Sequence, residues 1–480
     1  MKKAICFLLG LLLGLQVFSQ NKKDLVYFTT GLKIGEVTEN SAVIWTRLCS
    51  QPLPNPITHQ RKKAPYRAPL KYKNNQPVDE LDGEVSGAFG EVKVKLISKN
   101  HQVELDWEFV SSLKDYTFKK AIKNLEPNTT YKVEILGRKH TRIRKKDKVT
   151  KPKKTSTKIV GQFTTAPSKN DIVPVFFTSS TCQYFWDYDD EKRGFKIYDA
   201  MKKLQPNFHC QTGDFVYYDK PGPMALNIAQ ARMKWHAINA WPASVDFYNN
   251  VPLYLQKDDH DLLSNDSYPG MQPFGEITYK DGLSIWYEQA PLVGKPYRTF
   301  RWGKDVQIWL LEGREFRSPN HLKDGKDKTI YGEEQKKWFA KSVKKSDATF
   351  KLFVSATPVV GPDRVSDKSD NHANIAFKKE GDWLRKFLKK HDMFVLNGDR
   401  HWQYVSKDTK TGLMEFSQGP SSDAHAQGWS PDDKKPEHKF LRVAGGFLGV
   451  KVYREKGKPT IEFIHYDVDG NEVNKEVVKK

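Results

Sequence analysis

Four short clusters in this 480-residue chain hold residue types that suit a metal site: Ser179-Ser-Thr-Cys-Gln183, Gly213-Asp-Phe-Val-Tyr217, Asp258-Asp-His-Asp261 and Gly398-Asp-Arg-His401. Carboxylate oxygens suit hard cations and imidazole suits transition metals. A pair of cations needs one carboxylate to bridge them, and Asp214 is the natural choice. In hydrolysis of a phosphate ester, such a pair holds the attacking oxygen and neutralises charge on the equatorial oxygens. His260 is placed to protonate the leaving oxygen, inside a run of acids that would raise its pKa. Taken singly, each cluster has a bland reading. Gly-Asp is a common turn pair, and residues 258–261 could be a solvated loop. Four in succession, each ending an apolar run, argue against coincidence.

Those apolar runs are the elements that must position the clusters. From residue 171 onward, the pattern predicts strands at 173–178, 208–211, 253–255, 306–311, 350–354 and 393–396. Helical patterns fall between several of them, at 194–204, 225–239, 333–344 and 383–390. Unbroken apolar strands alternating with helices imply sheets buried on both faces, and sites in such sheets form past the carboxyl ends of the strands. Residues 447–473 return to strand-like alternation. Residues 24–167 read as all-β, with alternating runs at 43–48, 91–96 and 130–136 and a further strand at 161–165. That spacing predicts a β-sandwich. Leu125-Glu-Pro-Asn-Thr-Thr-Tyr131 resembles the loop before a late strand of fibronectin type III domains, and Trp45 sits where such folds keep a core tryptophan. Residues 52–76 and the Lys/Arg-dense stretch 138–158 read as exposed inserts. The latter is either a solvated hairpin tip or a polyanion-binding run. No internal repeat is evident.

The ordered clusters resemble the calcineurin-like metallophosphoesterase superfamily, and their departures from it look like the PhoD-type alkaline phosphatases. Thr181-Cys182 replaces the first motif. Gly-Asp-x-x-Tyr supplies Asp214 and Tyr217. Asp-Asp-His-Asp leads into Asn265-Asp266, and Gly-Asp-Arg-His supplies Asp399 and His401. Leu311-Glu-Gly-Arg-Glu-Phe-Arg317 also looks like that family's strand-and-arginine segment. The resemblance spans residues 25–468. It implies an α+β/α/β chain: a signal peptide at 1–20, a fibronectin-III-like β-sandwich at 24–167, and a four-layer α/β/β/α metallophosphoesterase domain at 171–475. It further implies a ferric ion (Fe3+) with two calcium ions (Ca2+), other divalent metals remaining compatible. Cys182 and Tyr217 match the iron ligands, Asp214 would bridge to calcium, and Asp259, Asn265, Asp399 and His401 would complete the metal site. Thiolate and phenolate suit a high-valent metal better than calcium. Arg314, Arg317 and Arg400 are candidates to hold the substrate anion, since guanidinium forks fit its oxygens. For Arg314 and Arg317 a structural salt bridge is an equal alternative. The superfamily's single middle histidine has no counterpart in Phe353-Val-Ser-Ala-Thr-Pro358.

Bulk properties fit export and anionic ligands. Met1-Lys2-Lys3 followed by an apolar run to Phe18 reads as a secretory leader, so a periplasmic, secreted or cell-surface protein is expected. Aromatic residues make up 12% of the chain, which argues for a packed globular protein. The formal charge of +21 attracts phosphate or sulfate esters and polyanionic glycans. No stable nucleic-acid complex is expected, and a monomer is. Without Cys6 of the leader, Cys49, Cys182 and Cys210 remain, an odd number. Either Cys182 serves the site, or it pairs with Cys210. Two other functions compete with the exported phosphomonoesterase or phosphodiesterase. One is a sulfatase or phosphatase acting on sulfated polysaccharide, although the chain has no Cys-x-Pro-x-Arg stretch. The other is a catalytically dead polyanion-binding protein.

Overall fold

The computed structural model describes residues 25–59, 76–140, 156–363 and 370–480. The leader expected at 1–20, most of the insert at 52–76 and most of the basic run at 138–158 lie outside them. The fold is mixed α/β, and the described residues form three sheets of nine, seven and five strands.

At the centre of the nine-stranded sheet run the parallel strands Val175–Ser180, Phe208–Thr212 and Leu253–Gln256, paired Phe208↔Phe177 and His209↔Leu253. The seven-stranded sheet carries Val306–Leu310, Phe350–Ser355 and Met393–Asn397 in parallel register, with Leu352↔Phe394. Nearly all of these residues are buried, as unbroken apolar strands require when both faces are covered. The two sheets face each other across one core that includes Phe208, Leu352, Leu396, Phe416 and Phe463. The Phe416 and Phe463 rings stack at 3.9 Å between centroids; truncating either would cost about 3–5 kcal/mol. Helices Lys196–Lys203, Ile228–Asn239, Pro242–Tyr248 and Tyr279–Gln289 cover the outer face of the larger sheet. Gly332–Lys345 and Lys378–Lys390 cover that of the smaller.

The early part of the chain joins the larger sheet. Strand Leu32–Gly35 pairs in parallel with Leu253–Gln256, then Ser41–Arg47 and Thr117–Lys123 extend the sheet. The five-stranded sheet built around Gly90–Ile97, Thr130–Lys139 and Ser156–Thr164 packs against these three through Val92, Val94, Tyr131, Ile34 and Ile44. The hydroxyl of Tyr131 accepts the Glu126 amide at 3.0 Å, the local bond of a tyrosine corner. Trp45 departs from expectation. Its neighbour Ile44 joins the core between the sheets, so period-two alternation turns Trp45 to the opposite face. There its indole donates to the Glu288 carbonyl at 2.9 Å, because helices cover that face too.

The helix Lys378–Lys390 is tied down by Glu380. Its carboxylate accepts from the Ile330 amide at 2.9 Å, from Thr329 and from His372 Nε2 at 2.9 Å. Burial alone would raise this carboxyl, yet the His372 contact and the Thr329 and Ile330 donors hold it down at about 2. His372 itself is pushed below its usual value, by burial first. Thr329 and Ile330 donate to Glu380 whatever the charge on His372, so the carboxyl stays low. A depressed carboxyl contributes stability that is complete above pH 4.5 and lost as pH falls towards 2. The expected loss is about 3 kcal/mol over that window. Urea titrations of wild type and Glu380→Gln at pH 6 and pH 3 should show a shallower acid loss in the variant; parallel losses would refute the assignment.

Candidate metal centre

Cys182, Asp214 and Asp399 each lie within two residues of the end of a central strand, and each holds a left-handed backbone, with φ of 51°, 54° and 65°. Non-glycine residues pay roughly 1–3 kcal/mol for such conformations and keep them mainly at functional sites. The turns have no spare room. A Cβ on Gly398 would meet Thr212 Oγ1 at 2.5 Å and Thr181 Oγ1 at 2.7 Å, and one on Gly213 would meet Asp258 Cβ at 2.6 Å. The two large sheets are also stitched together at this edge. Gln418 Nε2 donates to Thr212 Oγ1 at 2.6 Å, and Ser421 donates to the Thr181 carbonyl at 2.8 Å.

Three sets of donor atoms converge here, each with its atoms within 4.8 Å of one another: Cys182, Asp214 and His401; Asp214, Asp259 and His260; and Asp214, Asp258 and Asp399. Asp214 belongs to all three. Its Oδ2 accepts from the Cys182 thiol at 3.4 Å and from the Tyr217 hydroxyl at 3.0 Å. Burial first, then the facing acids Asp259, Asp261 and Asp399, push its carboxyl up to about 8 against the pull of His260. Burial and Asp214 likewise raise the Cys182 thiol and the Tyr217 phenol well above their usual ranges. Asp214 Oδ1 and Asp258 Oδ2 are buried without a hydrogen-bond partner. Crowded carboxylates with unanswered oxygens, beside a thiol and a phenol, are what bound cations would neutralise. The residues therefore fit a metal centre.

Buried charges brace the cluster from below. The Asp261 carboxylate accepts the amides of Asp214, Val216 and Asp258 at 2.8, 2.9 and 2.8 Å, so one side chain sets two of the metal-bearing turns. Arg314 donates to Asp258 and lies 3.5 Å from Asp259. Lys257 lies 2.6 Å from Glu315 and 3.4 Å from Glu312. His260 Nδ1 meets Asp219 at 2.6 Å. Burial opposes the charged ring, but Asp219 foremost, then Asp259 and Asp214, hold it up at about 10.

Of the residues picked from sequence, Cys182, Asp214, Asp259, His260, Asp399 and His401 all contribute donor atoms to these sets. Tyr217 joins through Asp214. Asn265 stands exposed at the rim, where its amide donates to Asp219 at 2.9 Å. The three arginines are buried against internal partners rather than open to an arriving anion. Arg400 faces Asp363 at 2.7 Å and Asp399 at 2.8 Å. Arg317 donates to Asn320 and to the Asp370 carbonyl. The three cysteines among the described residues are unbridged, so Cys182 and Cys210 form no disulfide. Sequence reasoning gave no role to Asp258, Asp261, Asp219 or His425. The first two stood inside a recognised motif. Nothing local marks Asp219 or His425, whose partners lie 41 and 208 residues away.

Fold and donor set together define a metal-dependent phosphoesterase. The chain belongs to the PhoD-like phosphatase family, whose model matches residues 176–444. Its structure is similar to that of PhoD, with a TM-score of 0.68 and 16% identity over 96% of this chain and 90% of that one. It is also similar to the purple acid phosphatase PPD1 from yellow lupin (Lupinus luteus) seeds, with a TM-score of 0.59 and 10% identity over 95% of this chain and 74% of that one. No curated protein sequence matches the chain.

Proposed function

We propose that the chain is an exported alkaline phosphatase or phosphodiesterase that uses Fe3+ with Ca2+. The observation that carries this reading is the convergence of a thiol, a phenol, an imidazole and several carboxylates on Asp214. Cys182, Tyr217 and His401 would hold the iron, as anionic thiolate and phenolate suit a high-valent metal better than calcium and imidazole suits transition metals. Asp214 would bridge, and Asp258, Asp259, Asp399 and Asn265 would offer oxygens to calcium. Held there, such cations would supply Lewis acidity and neutralise the charge of the ester. His260, with Nδ1 fixed by Asp219, is oriented to give its proton to the leaving oxygen. Arg314 and Arg400 hold Asp258 and Asp399 in place.

The organisation belongs to the same proposal: a signal peptide at 1–20, a fibronectin-III-like sandwich at 24–167 and a four-layer catalytic domain at 171–475. The mature protein would be a monomer in the periplasm or outside the cell. No helix among the described residues is long and apolar enough to cross a membrane.

The purified protein should be purple or brown and carry iron. It should hydrolyse p-nitrophenyl phosphate or bis-p-nitrophenyl phosphate but not p-nitrophenyl sulfate. Chelation should lower activity on the order of a hundredfold or more, with recovery on adding iron and calcium. Colourless protein that purifies without iron yet stays active would overturn the metal assignment. Preference for the sulfate ester would overturn the substrate class.

A further inference from the structure

A histidine far from every recognised motif closes the wall of the centre behind Tyr217. His425 lies in the short turn Asp423–His425, and Asp187 in the turn Phe185–Asp187 that follows the Cys182 loop. Both are buried. The Asp187 carboxylate meets His425 Nδ1 at 2.5 Å. On the other side of the ring, Nε2 meets the Tyr217 hydroxyl at 2.9 Å. The ring also lies 4.2 Å from that of His401, centroid to centroid. The Tyr217 hydroxyl is thus held from two directions, by His425 and by Asp214 at 3.0 Å.

This is the arrangement in which a carboxylate fixes the tautomer and orientation of a histidine, and the histidine fixes what it touches. With Asp187 on Nδ1, Nε2 is held at the Tyr217 oxygen, and the imidazole cannot turn without breaking both contacts. Packing keeps the Tyr217 ring in one rotamer well, and the contacts of its hydroxyl set where within that well the oxygen stands. Held only by Asp214, the hydroxyl could follow that carboxylate wherever it moved. The contact with the His401 ring makes His425 a shared support for two of the three residues placed on the iron.

We propose that Asp187 and His425 are positioning residues that set where the Tyr217 oxygen and the His401 ring stand at the metal centre. This rests on the metal reading given above. Neither residue is placed on a metal or on the substrate. They act through Tyr217 and His401.

The test uses the full mature chain as purified: wild type, His425→Ala, His425→Gln and Asp187→Asn. Asp187→Asn nearly preserves shape, so it guards against an alanine variant that simply fails to fold. In wild type, an iron–phenolate band should be visible. In His425→Ala and Asp187→Asn that band should shift or weaken, and iron should be lost to a competing chelator about 10–100-fold more readily. kcat should fall with little change in KM, and melting temperatures of the metal-free proteins should stay within a few degrees. His425→Gln, which can still reach the Tyr217 hydroxyl, should recover part of the band. Variants with wild-type colour and wild-type iron retention would overturn the inference alone. Wild type without iron or a visible band would overturn the metal reading and this inference with it.

Discussion

Asp214→Asn should abolish turnover while leaving the fold intact. Asp214 is the one residue common to all three donor groups, and it receives the Cys182 thiol and the Tyr217 hydroxyl. Asparagine keeps its size, tolerates the left-handed backbone at φ 54° and can still accept from Tyr217. What it loses is the negative charge that lets one side chain face two cations. A fall in kcat/KM on the order of a thousandfold is expected, by comparison with removal of a single preorganised charge-stabilising group. Bound metal should fall below the wild-type stoichiometry. The metal-free variant should melt no lower than metal-free wild type, since burial and the facing acids already favour the protonated Asp214 carboxyl, which asparagine copies. Elemental analysis, steady-state kinetics and calorimetry on the same samples check all three. Near-normal activity with full metal content would remove Asp214 from the centre.

Asp261→Ala should do the opposite, costing stability first. Its carboxylate is fully buried and is a shared acceptor for three backbone amides. Alanine would leave those donors buried and unanswered, at about 1–3 kcal/mol each. The sum, roughly 3–9 kcal/mol, corresponds to a fall on the order of 10 °C in Tm for a large domain. Since the amides belong to Asp214, Val216 and Asp258, metal retention should decline along with Tm. Asp261→Asn keeps one acceptor oxygen and should lose about half as much. An unchanged melting curve for Asp261→Ala would mean that these turns are set by something else.

Much of this was legible in the sequence because the core strands are short, apolar and followed at once by chemistry. Phe208–Thr212, Leu253–Gln256 and Met393–Asn397 match their predicted spans within two residues. The helix expected at 333–344 is Gly332–Lys345. Polar or mixed runs hid the rest. Strands Gln403–Lys407, Met414–Gln418 and His438–Arg442 carry glutamine, glutamate, histidine or arginine at buried or half-buried positions, so no apolar run announced them. The buried Glu415 among them is satisfied by the amides of Val359, Val360 and Gly361, which no local pattern reveals. Helix Tyr279–Gln289 has a capping box, Thr278 with Asp281, but its buried face includes Gly282 and Gln289 and breaks the apolar stripe. At the centre, residue types named the donors. The supports were hidden because their partners are remote in sequence: Asp187 with His425, and Arg400 with Asp363.

The nine-stranded sheet also constrains how the chain can be made. Strand Val175–Ser180, which carries Cys182 beyond its end, lies between Phe208–Thr212 and Phe447–Glu455. During synthesis its second neighbour emerges some 270 residues after it. Until then one side of that strand exposes unpaired backbone groups, a template for the wrong partner. The hairpin of Lys458–Tyr466 with Glu472–Lys479 emerges later still. A nascent chain halted before residue 447 would thus carry every proposed metal ligand on a scaffold that cannot yet hold them in register.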